Sequence, residues 1–330
     1  MAELSDQLLV VAILAYLVAM VCHAVEYAFG QRGAVSRAVA RPERQLVGAA
    51  VGGDPAKPPK PVDEVPSGPA RAPGRVARSV LAGRVAVALT GLGAVVHLGS
   101  LVTRGVAAER IPFGNMYEYL LALTFVGVAV WLGVLARRSA LRHLGLYVTL
   151  VMVLLLGLAG TVIYTPVGPL QPALRSYWFV IHISAAVLSS GILLFGFVPA
   201  ALYLLRSGWE QGRRGFPYDL ARGLPDAGVL ERFAFRIHAF AFPIWTFAIV
   251  GGAIWAEAAW GRYWGWDPKE TWAFISWVVY AGYLHARATP SVRRSTATWI
   301  AVLGFLTMLM NLFGVNLFFD NSLHSYAEVD

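Results

Sequence analysis

The chain has 330 residues, 57% of them hydrophobic and only 14% charged, with a mean hydropathy of +0.59. A soluble domain carries about a quarter charged residues, so one water-soluble globule cannot hide this much apolar surface and the bilayer must take it. The net charge of +8 would suit a nucleic-acid binder. However, the basic residues fall in short clusters between apolar runs, as in cytoplasmic loops of membrane proteins, and no nucleic-acid partner is expected.

A spanning helix needs roughly 20 mostly apolar residues. Eight stretches qualify, at about 7–29, 80–103, 115–136, 141–163, 177–206, 233–256, 271–289 and 296–319. The expected fold is therefore all-α, a polytopic membrane bundle of about eight transmembrane helices. Three units follow: a first transmembrane helix over 1–29, a linker over 30–79 and a seven-helix domain over 80–330. The first run is long enough to span and its N-terminal flank is acidic, so it reads as a helix and not as a cleaved signal. Eight of the eighteen prolines lie in 42–73, a composition that cannot build a core and predicts a disordered cytoplasmic tether.

The loops set the orientation. Segment 30–79 holds nine Lys/Arg against four Asp/Glu, segment 136–142 holds Arg137, Arg138 and Arg142, loop 206–232 holds five arginines, and 287–295 holds Arg287, Arg293 and Arg294. These are alternate loops, and the positive-inside tendency puts them all in the cytoplasm. Both termini and segments 104–114, 164–176, 257–270 and 320–330 then face outward from the plasma membrane. Cys22 is the only cysteine. Its place in an apolar run reads as a small buried residue, and without C-x-x-C-H the chain carries no covalently attached haem of its own.

Six of the eleven tryptophans fall between Trp255 and Trp277, and residues 260–272 read WGRYWGWDPKETW. An interfacial aromatic belt scatters its rings over many helix ends. It does not call for Asp267, Lys269 and Glu270 among them, or for glycines that let a backbone come close. Flat rings spaced as Trp260, Trp264 and Trp266 suit a large planar apolar ligand, for which sugars, quinones and porphyrins all qualify. Asp267 and Glu270 also precede a span and read equally well as helix caps.

Histidine placement narrows the choice. His182, just inside the outer end of the fifth span, and His324, after the eighth, bracket the tryptophan segment on its own side of the membrane. Two such imidazoles around an aromatic shelf point to an iron porphyrin with two axial ligands. Zinc fits less well, because no carboxylate or thiol completes a set of three or four. His285 lies about 22 Å down the seventh span at 1.5 Å per residue, and an ionisable residue at that depth is a functional candidate. His23, His97, His143 and His238 read as hydrogen-bonded structural residues.

The run W-G-x-x-W-x-W-D-x-K-E, filled by Trp260, Gly261, Trp264, Trp266, Asp267, Lys269 and Glu270, resembles the tryptophan-rich signature of haem-handling proteins of cytochrome c assembly. Trp272, Trp277, the LHAR run ending at Arg287 and PFGNMYE at 112–118 resemble the CcsA/ResC branch, the system II cytochrome c synthases. The likeness covers roughly 80–330. It implies non-covalent haem b, held by His182 and His324 outside, with Trp260, Trp264, Trp266, Asp267 and Trp272 around it. It implies a membrane-embedded second site at His285, completed by a histidine of a ResB-type partner subunit. The implied activity is that of a cytochrome c haem lyase, presenting haem to the C-x-x-C-H of apocytochrome c, with thioredoxin-like proteins as thiol reductants. Neutral imidazoles are needed for ligation, so binding should weaken below about pH 6. Arg104, Arg110, Arg175 and Arg262 are the external cations able to pair with haem propionates. Competing readings are a haem chaperone without ligation chemistry, a CcmC- or CcmF-type relative, and a transporter of a non-haem ligand.

Overall fold

The computed structural model describes residues 1–29, 73–319 and 322–324. The linker expected at 30–79 lies outside the described residues up to 72, and helix begins at Pro73. The described chain is helical, without strands. Its long helices are α1 (Ala2–Phe29), α2 (Pro73–Ala108), α3 (Met116–Arg137), α4 (Gly145–Thr161), α5 (Tyr177–Glu210), α6 (Ala227–Trp260), α7 (Pro268–Ala288) and α8 (Arg294–Leu309). α8 continues through a π turn at Met310–Gly314 into the short α9 (Val315–Phe318).

Seven of these helices are long and apolar enough to cross a membrane, one fewer than the eight spans expected. The exception is α7, which lies where the seventh span was expected. Its 21 residues include Lys269, Glu270, His285 and Arg287 alongside Trp272, Trp277, Tyr280 and Tyr283. Polar atoms on its rings and both charged ends lower its hydropathy. It packs on α6 and α8, with Glu270, Ser276, Tyr280, Tyr283 and Ala286 as its buried residues.

α5 is the central helix. Of its most apolar window 83% is buried, against 28–50% in the other six spans, and it packs on α6, α3 and α8. Small residues allow this: Ala185, Ala186, Ser189, Ser190 and Gly191 form one stretch along its buried length. α1 pairs with α2 and rests on α4. Ser5 and Ser100 tie the pair, each hydroxyl donating to the other's carbonyl at 2.9 Å, so neither buried hydroxyl is left unpaired in an apolar setting.

Polar contacts sort the helix ends into two groups, as eight alternating passes require. At one end, Asp6 accepts from Tyr164 at 2.7 Å, and buried Glu118 takes Arg104 Nε at 2.9 Å and Arg110 Nη1 at 2.7 Å. At the other end, Glu26 takes Arg142 Nε at 2.8 Å, Glu231 takes Arg287 Nη2 at 3.1 Å, and Arg206 pairs with Glu210. This second, arginine-rich end also carries Arg137, Arg138, Arg232 and Arg236. The first end carries His182, His324 and the tryptophan segment.

Candidate functional site

The site is built around the start of α7. Gly261 closes α6 in a left-handed conformation (φ 69°), where glycine carries no steric cost. The chain crosses to Asp267, the N-cap of α7, with Pro268 next. A complete capping box is present: Asp267 accepts from Lys269 N at 3.0 Å, and Glu270 accepts from Asp267 N at 3.1 Å. Glu270 also takes Gly265 N at 2.8 Å and Arg262 Nη1 at 3.2 Å. Between those two backbone bonds sits Trp266 at φ 58°, a left-handed conformation that costs a bulky residue roughly 1–3 kcal/mol. The carboxylates among the indoles are therefore what shapes the loop.

Asp267 reaches further. Its carboxylate accepts from Ser322 Oγ at 3.0 Å, Leu323 N at 2.7 Å and His324 Nδ1 at 2.9 Å. Burial pushes Asp267 upward. The His324 hydrogen bond and charge, with the Leu323 and Lys269 amides, outweigh it and hold the carboxyl below its ordinary range. Burial lowers His324 against the pull of Asp267. A carboxylate beside a neutral imidazole results, with Nδ1 engaged by Asp267 as it is behind many metal-ligating histidines.

His182 is fixed in the same way from another helix. Its Nδ1 lies 2.8 Å from the carbonyl of Ala248 on α6. The adjacent Gly251-Gly252 pair makes room: a Cβ at Gly252 would lie 2.8 Å from His182 Cε1. Trp255 stands between the two histidines. It stacks on His182 (centroids 5.7 Å apart, planes 10°) and meets His324 edge-on at 5.4 Å. Its Nε1 donates to Ala173 at 3.0 Å. Trp260 meets His324 at 4.8 Å and Trp255 at 4.9 Å.

Both histidines line one cavity of about 170 Å³, together with Trp255, Tyr263, Trp264 and Lys269. The cavity continues down α5 to Leu194, twelve residues past His182 or about 18 Å of helix. Asn311 and Asn316, from the π turn and the helix after it, close the side near α7: Asn311 Nδ2 donates to Lys269 O at 3.2 Å, and Lys269 Nζ donates to Asn316 Oδ1 at 2.9 Å.

Of the residues singled out from the sequence, the structure brings together His182, His324 and Trp264 at the cavity, with Trp260 and Asp267 supporting His324. Trp266 is 66% exposed and packs edge-on against Trp264 and Phe274. Trp272 and His285 lie on α7 away from the cavity, and His285 is exposed near the arginine-rich end. Three of the four arginines expected outside already have carboxylates, Arg104 and Arg110 on Glu118 and Arg262 on Glu270. Arg175 is exposed, bonded to the Leu170 carbonyl at 3.3 Å. Trp255 and the Gly251-Gly252 pair were missed. The pair was a usable signal, since adjacent glycines inside a membrane helix indicate a close approach.

Fold and site together define a polytopic membrane protein with two imidazoles around an aromatic-lined cavity at one end. The family model for "Cytochrome C assembly protein" matches residues 113–322. The chain is similar to the cytochrome c biogenesis protein CcsA of Guillardia theta, 34% identical over 69% of this chain and 80% of that protein. The CcsA proteins of Gloeobacter violaceus (31%, over 72% and 86%) and Cyanophora paradoxa (30%, over 69% and 82%) are also similar. The chain belongs to the cytochrome c assembly protein family, in its CcsA branch.

Proposed function

We propose that this chain is the haem-handling subunit of a system II cytochrome c synthase in the plasma membrane, with its tryptophan segment on the outer face. In this reading haem b is cargo. It is held non-covalently between His182 and His324 and presented to apocytochrome c. The observation that carries the proposal is the pair of imidazoles lining one cavity, each with Nδ1 beside an oxygen acceptor that fixes the ring. An aromatic shelf and no third protein ligand suit a porphyrin better than a bare metal ion; among the described residues no cluster of three or more His, Cys, Asp or Glu is placed to hold a metal ion.

The cavity of about 170 Å³ is below the usual 300–1,000 Å³ of drug-sized ligand sites, so seating a macrocycle requires the tryptophan segment to swing outward. Tyr263 and Trp266, 62% and 66% exposed, lie on the part with least packing to break. Once haem is seated, each thiol of C-x-x-C-H adds across one vinyl group, sulfur to the carbon beside the ring and hydrogen to the terminal carbon, with no oxidant consumed. The substrate histidine then replaces one enzyme imidazole on iron. This chain contributes positioning; its sole cysteine, Cys22, is on α1. Thioredoxin-like proteins would keep the substrate thiols reduced. Exposed His285 suits an inner haem site whose other ligand comes from a ResB-type partner, and Arg175, the one of the four arginines without a carboxylate within salt-bridge distance among the described residues, is the candidate for a propionate. The arginine-rich end faces the cytoplasm in this arrangement.

The test is a reduced-minus-oxidised spectrum and pyridine haemochrome assay on the chain purified with its ResB-type partner, alongside cytochrome c yield in cells. A b-type haem that falls in His182→Ala and returns with added imidazole supports the outer site. Wild-type haem content and wild-type cytochrome c yield in both His182→Ala and His324→Ala would overturn it. Haem binding without any cytochrome c dependence would leave a chaperone in place of a synthase.

A further inference from the structure

We propose that the groove between α3, α5 and α6 at the arginine-rich end is a binding site for an anionic phospholipid. The groove holds about 650 Å³ and is separate from the histidine cavity, sharing no lining residue with it. Its rim carries Arg137 and Arg138 from the end of α3 and Arg232 and Arg236 from the first turns of α6. All four are exposed, and none has a carboxylate within salt-bridge distance among the described residues. The carboxylate adjacent in sequence, Glu231, is taken by Arg287. Arg232 and Arg236 are one turn apart, a like-charge spacing that disfavours a helix unless an anion relieves it.

Below the rim the lining turns apolar. Val130 and Val134 on α3, Phe233, Ile237 and Phe240 on α6 and Ile192 on α5 form the floor. Val130 lies about 10 Å deeper along its helix than Arg137, and Phe240 about 6 Å deeper than Arg236. Phe240 is 65% exposed. Charge at the membrane surface with an apolar trough leading toward the bilayer centre matches a phospholipid with its phosphate among the guanidinium groups and an acyl chain along the trough. Basic pockets between helix ends are known sites for anionic headgroups. Haem has a similar amphipathic shape, but the groove contains no histidine, methionine, cysteine or tyrosine to meet its iron.

Gly133 lines the groove, and a Cβ added there meets nothing within 4 Å. A side chain at this position can therefore fill the trough while leaving every charge and the backbone in place. The experiment is native mass spectrometry of the purified chain equilibrated with phosphatidylglycerol or phosphatidylcholine of the same acyl length. Phosphatidylglycerol should be retained preferentially. Each arginine removed should weaken retention about fivefold, so R232Q/R236Q should nearly abolish the preference. G133L should weaken retention with all charges intact, and R222Q/R293Q, at the same end but outside the groove, should change nothing.

Equal retention of the two lipids by the wild-type chain would overturn the site. An equal loss in R222Q/R293Q would reduce it to bulk charge, and an unaffected G133L would remove the trough from it. Displacement of the lipid by glycerophosphate at comparable concentration would reassign the groove to free phosphate compounds. A haem signal that falls in R232Q/R236Q without any lipid preference would reassign it to haem propionates.

Discussion

Asp267→Asn tests whether His324 is held for ligation by one carboxylate. Oδ1 of Asp267 takes Lys269 N, Ser322 Oγ and His324 Nδ1 at 3.0, 3.0 and 2.9 Å, while Oδ2 takes Leu323 N at 2.7 Å. Asparagine keeps one oxygen. Its better orientation places that oxygen on the three donors, so the new NH2 faces the Leu323 amide and that bond is lost. Losing a charge-assisted bond costs about 1.5–3 kcal/mol, and the remaining bond to His324 drops to roughly half strength with a neutral acceptor. Both losses fall on residues 322–324, the segment that presents the imidazole. The cap of α7 survives, because asparagine caps helices as well as aspartate does. Haem affinity should therefore fall about 10–100-fold, as removal of partners behind metal ligands generally does, with thermal stability close to wild type. Haem titration followed in the Soret band reads the affinity, and the low-spin signature reads the coordination. Added imidazole should restore the low-spin spectrum. Wild-type affinity and an unchanged spectrum in Asp267→Asn would refute the reasoning.

Gly252→Ala should push the His182 ring from its seat, since the new Cβ lies 2.8 Å from Cε1 and 2.9 Å from Nδ1. The expected result is weakened outer-site haem with normal membrane insertion, read by the same titration, while Gly157→Ala, where a Cβ meets nothing, should be silent. His285→Ala should lower the amount of haem recovered with the complex from cells. It should leave haem added to the purified protein binding at the outer site, because His285 does not line that cavity. Equal loss in both measurements would place His285 in the outer site or in the fold.

Much of the fold was legible because apolar runs of bilayer length are an unambiguous signal. Every expected span coincides with a helix, and the three basic loops that lie among the described residues gather at one end. α7 runs from the tryptophan segment to the arginine-rich end yet falls short of the other seven in apolar character, since its identity as a helix and its hydropathy are separate properties. Its tryptophans and tyrosines are large and ring-shaped, but they lower hydropathy; Tyr280 and Tyr283 are buried, while Trp272 and Trp277 are half-buried. In the site, His182 and His324 were readable from their distance to helix ends. What stayed hidden was the rotation of each helix: Trp266 points outward and Trp272 away from the cavity, though both sit in the signature, while Trp255 lies between the histidines. The pairing of the arginines was likewise invisible. Arg104 and Arg110 meet Glu118 only because α2 and α3 fold back on each other at that end.

The two loops that frame the cavity use one device twice. Asn115 caps α3 as Asp267 caps α7, and the glutamate three residues on, Glu118 or Glu270, bonds a preceding glycine amide at 2.7 or 2.8 Å. An arginine eight residues upstream, Arg110 or Arg262, closes on the same carboxylate. In both loops the glycine is what lets the arginine in: a Cβ at Gly114 would lie 2.6 Å from Arg110 Nη1, and one at Gly265 would overlap Arg262. The difference is burial. Glu118 is fully enclosed and bears Arg104 as well, so Glu118→Gln leaves Arg110 without its carboxylate and Arg104 with only Asp6 at 3.9 Å, and should cost about 3–5 kcal/mol of global stability. Glu270 meets a single arginine that is one-third exposed, an ion pair worth roughly 1 kcal/mol or less. Glu270→Gln should instead release the left-handed Trp266 and its loop, seen as lost amide-exchange protection over 261–267 with little change in melting temperature. Equal global destabilisation by the two variants would show that the tryptophan loop is part of the structural frame and not the movable wall of the site.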